Sequence, residues 1–382
     1  MKYNLSDICD YAKGKINVSV LDEDTYISTE NMMPNKGGIT GASSLPTVAQ
    51  TQSFSAGDVL VSNIRPYFKK IWFAEFDGGC SNDVLVFRTK EGVSKRFLYY
   101  VLADDTFFNY SMATSKGTKM PRGDKAAIMK YQVPDFTYEE QEKIAGLLEA
   151  LDKKIQLNAE INENLEQQAQ AYFQELFIDN ADPAWTLGTV SDLGAVVGGS
   201  TPSKAKPEYY TEDGIAWITP KDLSINKAKF VSHGENDITK LGLKNSSAAI
   251  MPEGTVLFSS RAPIGYIAIA SGEVTTSQGF KSVVPKPEIG TAYVYYFLKH
   301  NLPIIEGMAS GSTFKEVSGS TMKNVPAVIP DTETLACFNG FCAPIFAQQR
   351  ILEEQNQSLT ALRDSLLPKL MSGEIDVSDI QL

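Results

Sequence analysis

The sequence predicts an α+β molecule in which two similar mixed α/β globular units are separated by two long helices. The helices are expected to pack as an antiparallel coiled coil, and the whole to be pseudo-twofold symmetric. Three observations lead there. The first is an internal repeat. Gly57-Asp58-Val59-Leu60 returns as Gly254-Thr255-Val256-Leu257, and Tyr99-Tyr100-Val101-Leu102 as Tyr295-Tyr296-Phe297-Leu298. Gly117-Thr118 returns as Gly311-Ser312, and Val133-Pro134-Asp135 as Ile329-Pro330-Asp331, all at offsets of 194 to 197 residues. One such match is a common turn or strand signature, but four in the same order at nearly constant offset point to duplication. The second observation is a long polar helical pattern after each copy, at 138–178 and 332–371. The third is that each copy mixes short β-runs with short helices among Gly/Pro/Ser/Asn loops.

These patterns place a globular unit at 1–137, a central helix at 138–180, a second globular unit at 181–331, and a C-terminal helix with its tail at 332–382. Within the units, Ile71-Trp72-Phe73, Val84-Leu85-Val86-Phe87, Val256-Leu257-Phe258 and Tyr266-Ile267-Ala268-Ile269 read as strands. Phe97 to Phe108 and Tyr293 to Leu298 read as short helices.

The first long helix carries Ile144, Leu148, Leu151, Ile155, Leu165, Ala169, Tyr172 and Leu176 in alternating steps of four and three. Asn158 and Asn162 fall in the middle of that seam. The second carries Phe338, Phe341, Ile345, Leu352, Leu359, Leu362 and Leu366, with Gln348 and Gln355 in its seam. Amides in a seam cost stability but reject slipped registers, because a displaced partner leaves them unpaired. Two seams interrupted alike are expected to pair with each other; the alternative is that each helix packs on its own unit. Pro134, Asp135 and Thr137 mark the start of the first helix, and Pro368 and Gly373 the end of the second. At ~1.5 Å per residue each rod is roughly 55–60 Å long, comparable to ~1.5–2 turns of B-DNA at ~34–36 Å per turn.

The chain has a net charge of −11, which divides unevenly: +1 over 1–137, −7 over 138–180, −1 over 181–331 and −4 over 332–382. The acid excess therefore sits on the helices. Phosphate binding needs a local basic face rather than a basic total, so the net charge neither supports nor excludes nucleic acid. No apolar run approaches the ~18 residues of a membrane span, and Met1-Lys2-Tyr3-Asn4 does not open a signal peptide, so a cytoplasmic location is expected. Cys9, Cys80, Cys337 and Cys342 are scattered and lie far from His233 and His300, so no metal site is expected.

Basic and polar residues interleave in corresponding stretches of the two units. The first has Ile64-Arg65-Pro66-Tyr67-Phe68-Lys69-Lys70 and Ser115-Lys116-Gly117-Thr118-Lys119-Met120-Pro121-Arg122-Gly123-Asp124-Lys125. The second has Ser259-Ser260-Arg261-Ala262-Pro263 and Ser310-Gly311-Ser312-Thr313-Phe314-Lys315. Arginine can donate bidentately to guanine, Asn and Gln can read adenine, and Ser, Thr and Lys can hold phosphates. Asn82 and Gln278 put an amide at the same place in each unit, at offset 196. The second unit opens on Gly198-Gly199-Ser200-Thr201-Pro202-Ser203-Lys204, followed by Trp217-Ile218-Thr219-Pro220-Lys221. This is not a nucleotide loop, since the spaced second glycine before Lys-Ser/Thr is missing; Ser200, Thr201, Lys204 and Lys221 are candidates for phosphate contact. For each of these residues the plain alternative is a solvated surface.

Catalytic constellations are missing. There is no Asn/Asp-Pro-Pro-Tyr/Phe motif, Walker loop, His-Glu-x-x-His or nucleophile elbow, and two histidines leave little for acid–base work. No catalytic residue is assigned. Two other readings stay open: a coiled-coil adaptor that scaffolds an assembly without touching DNA, and an enzyme built around Asp104-Asp105 and Asp124.

Three stretches carry a family resemblance. Glu140-Gln141-Glu142-Lys143-Ile144, Leu151-Asp152-Lys153-Lys154-Ile155 and Asn162-Glu163-Asn164-Leu165-Glu166-Gln167-Gln168-Ala169 resemble the central helix of type I restriction–modification specificity subunits. Leu362-Arg363-Asp364-Ser365-Leu366-Leu367-Pro368-Lys369-Leu370-Met371-Ser372-Gly373-Glu374-Ile375 is similar to that family's C-terminal end. The Gly198–Lys204 stretch with Trp217-Ile218-Thr219 resembles the start of its target-recognition domains. The first unit departs there, with Ala12-Lys13-Gly14-Lys15 where a Gly-Gly-x-Thr-Pro loop is expected.

The resemblance implies that each globular unit is a target-recognition domain reading one half of a bipartite site on double-stranded DNA. The paired helices would set the spacer. It also implies two methylation subunits, which carry S-adenosylmethionine and methylate adenine, and restriction subunits that use ATP and Mg. This chain would be the non-catalytic reader, with no cofactor of its own.

Overall fold

In the computed structural model the chain is described over residues 2–311 and 315–377. It divides into Met1–Gln156 with Gln357–Leu382, and Leu157–Asn356, so the division falls inside both long helices.

The first unit runs β1 (Lys2–Asn4), α1 (Leu5–Ile8), β2 (Cys9–Tyr11), β3 (Lys15–Asn17), β4 (Tyr26–Ile27), β5 (Gln50–Phe54), β6 (Val59–Ser62), β7 (Ile71–Phe73), β8 (Gly78–Cys80) and β9 (Val84–Thr89). There follow α2 (Lys95–Ala103), α3 (Asp105–Ala113), α4 (Lys125–Ile128), β10 (Gln132–Pro134) and the start of α5 (Tyr138–Gln174). Two four-stranded sheets form, in the orders β2-β9-β6-β7 and β3-β5-β8-β4. The period-2 alternation of strands assigns their faces. Val59, Val61, Leu85 and Phe87 pack with Phe97, Leu98, Val101 and Leu102 of α2. Leu60, Val84 and Val86 pack instead with Phe54 and Cys80 of the other sheet. β6 is buried on both faces, which is why it reads as a continuous apolar run. The single helix expected over Phe97 to Phe108 is two: Asp104 ends α2 and caps α3, its carboxylate accepting from Thr106 N at 2.7 Å.

The second unit runs β11 (Thr186–Thr189), α6 (Val190–Leu193), β12 (Gly194–Gly198), β13 (Tyr210–Thr211), β14 (Trp217–Ile218), α7 (Pro220–Ile225), β15 (Phe230–Val231), β16 (Asp237–Ile238) and α8 (Lys240–Lys244). It continues through β17 (Val256–Ser260), β18 (Ile264–Ala270), β19 (Thr275–Thr276), β20 (Lys281–Pro285), α9 (Thr291–His300), α10 (Leu302–Gly307), α11 (Gly319–Lys323), β21 (Pro326–Ile329) and α12 (Thr332–Ser372). Its main sheet, β12-β20-β17-β18-β15, repeats the order β2-β9-β6-β7 and adds one strand. The antiparallel pair β1·β10 returns as β11·β21, and the parallel pair β4·β8 as β14·β19. Even the short helices match: Asn4 N donates to Asp7 and Thr189 N to Asp192, both at 2.8 Å, as capping boxes.

The long helices run antiparallel within each unit. In the first, Leu148 is buried and Leu151, Ile155 and Leu359 are half-buried, while Arg363 of α12 donates to Asp152 of α5 at 2.8 Å. In the second, Asn158 is buried, Leu165 half-buried and Leu352 buried. Asn158 Nδ2 donates to Gln355 Oε1 at 3.3 Å and to Asn356 Oδ1 at 2.9 Å. Gln349 Nε2 reaches the Asn162 carbonyl at 3.2 Å, and the Tyr172 and Phe341 rings lie 4.6 Å apart.

Four seam positions differ from expectation, the first being Phe341, which is 40% exposed although its ring lies against Tyr172. Leu362 is 46% exposed, and the adjacent Arg363 turns inward to Asp152. Gln348 is exposed, and Gln349 takes the buried place at 3% exposure. Gln355 is exposed overall although its amide oxygen meets Asn158. The reason is that α12 serves two masters. Leu335, Phe338, Cys342 and Ile345 join the core of the second unit, so that core rather than a strict seven-residue period sets its inward face.

Candidate nucleic-acid interface

In the first unit, backbone hydrogen bonds draw four separate loops to the end of β6. Asn63 N donates to Asp83 O at 2.8 Å, Gly123 N to Asn63 O at 3.1 Å, and Arg65 N to Pro121 O at 2.8 Å. Lys116 and Arg122 exchange a pair of 2.9 Å bonds, folding 116–122 into a small hairpin. Asn35 N and Lys36 N donate to Phe68 O and Lys69 O at 2.8 and 2.9 Å. Arg65, Lys69, Lys70, Asn82, Lys116, Thr118, Lys119 and Arg122, expected from sequence, are thereby gathered at one end of this unit. The turn at 35–36 joins them without having been anticipated. Its Asn-Lys-Gly-Gly string reads as a turn, but nothing local shows where the turn docks.

The cations divide into two kinds. Lys116 pairs with Asp124 at 2.5 Å, Arg122 with Asp83 at 3.3 Å, and Lys69 and Lys36 share Asp105 at 2.7 and 3.0 Å. Lys70 Nζ donates to the Thr29 carbonyl at 2.6 Å. Burial pushes the Asp105 carboxyl up, but the two lysines outweigh it and hold it below its ordinary value. Asp124 is held low by the hydrogen bond from Lys116 and by backbone N–H donors of its own helix start. These pairs pin the loops to each other. Arg65 and Lys119 are exposed and have no ion-pair partner among the described residues.

The second unit repeats the frame. Ser260 N donates to Gly279 O at 2.7 Å, Val317 N to Ser260 O at 3.0 Å, and Ser310 and Glu316 exchange bonds of 3.1 and 2.9 Å. Each of these falls 194 to 197 residues after its counterpart in the first unit. The charges are redistributed: Glu316 stands where Arg122 stands, and Arg261 and Lys281 both approach it at 3.6 Å. Lys315 is exposed beside it, and Gln278, like Asn82, is exposed. Ser312 and Thr313 lie outside the described residues.

The Gly198-to-Lys204 loop lies on the same end of the sheet. Ser200 N donates to Thr276 O at 2.8 Å, Trp217 Nε1 to Ser200 O at 3.0 Å, and Gln278 N to Thr201 Oγ1 at 3.4 Å. A side chain at Gly199 would collide with the Ser277 carbonyl, which explains the glycine. The hydroxyls of Ser200 and Thr201 both accept from backbone N–H groups, so they shape the loop. Lys204 is exposed and free of ion pairs among the described residues, whereas Lys221 is paired with Glu235 at 2.5 Å. Cys9, Cys80 and Cys342 are buried, and burial pushes each thiol up to about 12. Among the described residues no helix is long and apolar enough to cross a membrane.

Comparison with known proteins places this architecture. The type I restriction enzyme MjaIX specificity subunit of Methanocaldococcus jannaschii is 42% identical over 163 residues, covering 42% of this chain and 38% of its own length. The HindI specificity subunit of Haemophilus influenzae is 24% identical, with 98% of this chain and 99% of that one aligned. In fold, the crystal structure of a type I restriction-modification system S subunit from M. genitalium superposes with a TM-score of 0.62 at 17% identity, over 97% of this chain and 96% of that one. The type I restriction modification DNA specificity domain matches twice, at residues 1–167 and 184–361, and the chain therefore belongs to that family.

Proposed function

We propose that this chain is the recognition subunit of a type I restriction–modification complex, each globular unit reading one half of a bipartite double-stranded DNA site. The observation that carries the reading is the repeated frame. The same four loop-closing hydrogen bonds present basic and amide side chains at the same end of the same sheet in both units. The paired helices α5 and α12 set the spacer between half-sites and dock two methylation subunits, with restriction subunits beyond them. S-adenosylmethionine belongs to the methylation subunits, and ATP and Mg to the restriction subunits; this chain contributes recognition and no catalytic group. Globular units bounded near 1–137 and 181–331 are the exchangeable modules.

Exchanging residues 181–331 for the corresponding unit of a relative tests this. Methylome sequencing of cells expressing the intact system should show one half-site replaced and the other unchanged. A change in both halves would overturn independent reading. Sequence-specific binding lost altogether, with methylation subunits still bound, would favour the adaptor reading instead.

A further inference from the structure

The turn after Arg65 holds two aromatic rings in water. Tyr67 and Phe68 are 49% and 38% exposed, their ring centroids 4.7 Å apart. The turn itself is firmly fixed. Phe68 N and Lys69 N donate to Arg65 O and Pro66 O, each at 2.9 Å, and Arg65 N, Asn35 N and Lys36 N tie it to the neighbouring loops. Pro66 is buried, and Lys69 is anchored on Asp105. Arg65 and Lys69 hold φ of 50° and 51°, left-handed backbone that side-chain-bearing residues avoid unless the surroundings impose it. A loop free to move would turn these rings inward; this one is built to keep them out.

The surroundings say what meets them. Arg65 and Lys119 are the exposed cations of this loop cluster without ion-pair partners among the described residues, Lys70 being held by the Thr29 carbonyl, while Asp83, Asp105 and Asp124 are each committed to a cation. Met120, next to the Pro121 carbonyl that receives Arg65 N, is 45% exposed. Two exposed rings inclined at 52° to each other and rimmed by positive charge complement the faces of bases flanked by phosphates. The second unit lacks the feature. At offset 197 Ile264 and Gly265 stand in place of Tyr67 and Phe68, inside β18, and Ile264 packs on the core.

We propose that Tyr67 and Phe68 form a wedge that stacks on a partly opened base step in the half-site read by the first unit, so that this half-site is recognised in a deformed duplex. The proposal rests on the DNA-reading role above. Such a wedge adds specificity through the ease of opening the step, at positions that no hydrogen bond touches.

The test uses the full chain with its methylation subunits and duplexes bearing the methylome-defined site, with 2-aminopurine placed in turn at each position of that half-site. The wild-type complex should raise 2-aminopurine fluorescence at one or two adjacent positions. Tyr67→Ala with Phe68→Ala should abolish the rise and weaken binding roughly ten- to hundredfold. The salt dependence should be unchanged, since no phosphate contact is lost. Tyr67→Leu with Phe68→Leu, which keeps apolar bulk without a π-face, should lose the rise as well. Specific binding by the wild type with no fluorescence rise anywhere would overturn the wedge and leave the reading role standing. Failure of the wild type to discriminate its site would overturn both. Normal DNA binding by the alanine variant with loss of a methylation subunit would show a protein contact here and also overturn the wedge.

Discussion

The Lys229 ammonium lies 2.5 Å from Glu166 Oε2 inside the second unit, with the two side chains only 7% and 15% exposed. Lys229 comes from the globular part and Glu166 from α5. Gln349 of α12 accepts from the same ammonium at 2.8 Å, so one cation joins the recognition unit to both long helices. Three rings enclose it, with Phe346, Tyr295 and Tyr296 centroids at 4.0, 4.6 and 5.1 Å. Tyr296 OH donates to Glu166 Oε2 at 2.9 Å. The first unit uses the same tyrosine position, 196 residues earlier: Tyr100 OH donates to Asp152 of α5 at 2.7 Å, and Arg363 of α12 supplies the cation.

Removing the lysine should therefore unseat the second unit from its helices. Lys229→Met leaves Lys299 as the one cation beside Glu166 and should cost up to about 3–5 kcal/mol of stability, the usual consequence of removing one partner of a buried ion pair. Lys229→Met with Glu166→Leu should recover much of that loss, because the only charge then left unpaired, Lys299, is 40% exposed and solvated. Denaturant unfolding of the full chain measures both; a single variant as stable as the wild type would mean the pair is energetically idle.

The same pair sets an acid limit. Burial pushes the Glu166 carboxyl up, but Lys229 and Lys299 outweigh it and hold it at about 2, below the ordinary 4.5. A carboxylate whose pKa is lowered on folding adds stability above its unfolded pKa and loses it as pH falls through the folded one. The stability gap between wild type and Glu166→Gln should hold from neutral pH down to about 5 and close toward pH 2. Thermal melts of both proteins across that range provide the check.

The helix seam makes a different prediction. Asn158 and Asn162 each have a buried Oδ1 without a hydrogen bond among the described residues, while Asn158 Nδ2 is held by Gln355 and Asn356. Asn158→Leu with Asn162→Leu should raise stability by about 1 kcal/mol or more and relax the register. A wild-type fold with broadened spacer choice, seen in the methylated motifs, is the expected outcome. Unchanged spacer choice would place register control outside these two amides.

What the sequence showed and what it hid divide along physical lines. The duplicated strands, the paired amphipathic helices and the two basic loops of the first unit were legible, because periodicity and turn chemistry are local. Asn35 and Lys36 were not, since they reach the site through backbone bonds to residues 68 and 69 that leave no trace in side-chain type. Lys229 was equally hidden: Ala228-Lys229-Phe230 reads as surface, and only the assembled cage makes the lysine internal. At Gln348 and Leu362 the period was right and the phase was off by one, a slip that a helix packing against two neighbours readily produces.

The paired and unpaired cations of the first unit should separate in solution. Lys119 has no ion pair to lose among the described residues, so Lys119→Ala should weaken binding to all sequences alike and reduce the salt slope by about 1. If Arg65 reads a base edge, as proposed for this unit, Arg65→Ala should cost about 1–3 kcal/mol of discrimination and relax one position of the site. Lys69→Met should act indirectly, because it frees the turn from Asp105, lowering affinity and specificity together. In the second unit Lys204 should behave like Lys119, and Arg261 like Arg65 with a smaller effect, since Glu316 already competes for its guanidinium at 3.6 Å. The acidic helix faces should respond differently again: Glu160→Lys or Glu163→Lys should impair assembly with methylation subunits while leaving the preferred sequence intact. Binding isotherms across salt, on cognate and single-substituted duplexes, distinguish these classes. Equal slopes and equal discrimination for Lys119→Ala and the wild type would remove that lysine from the interface.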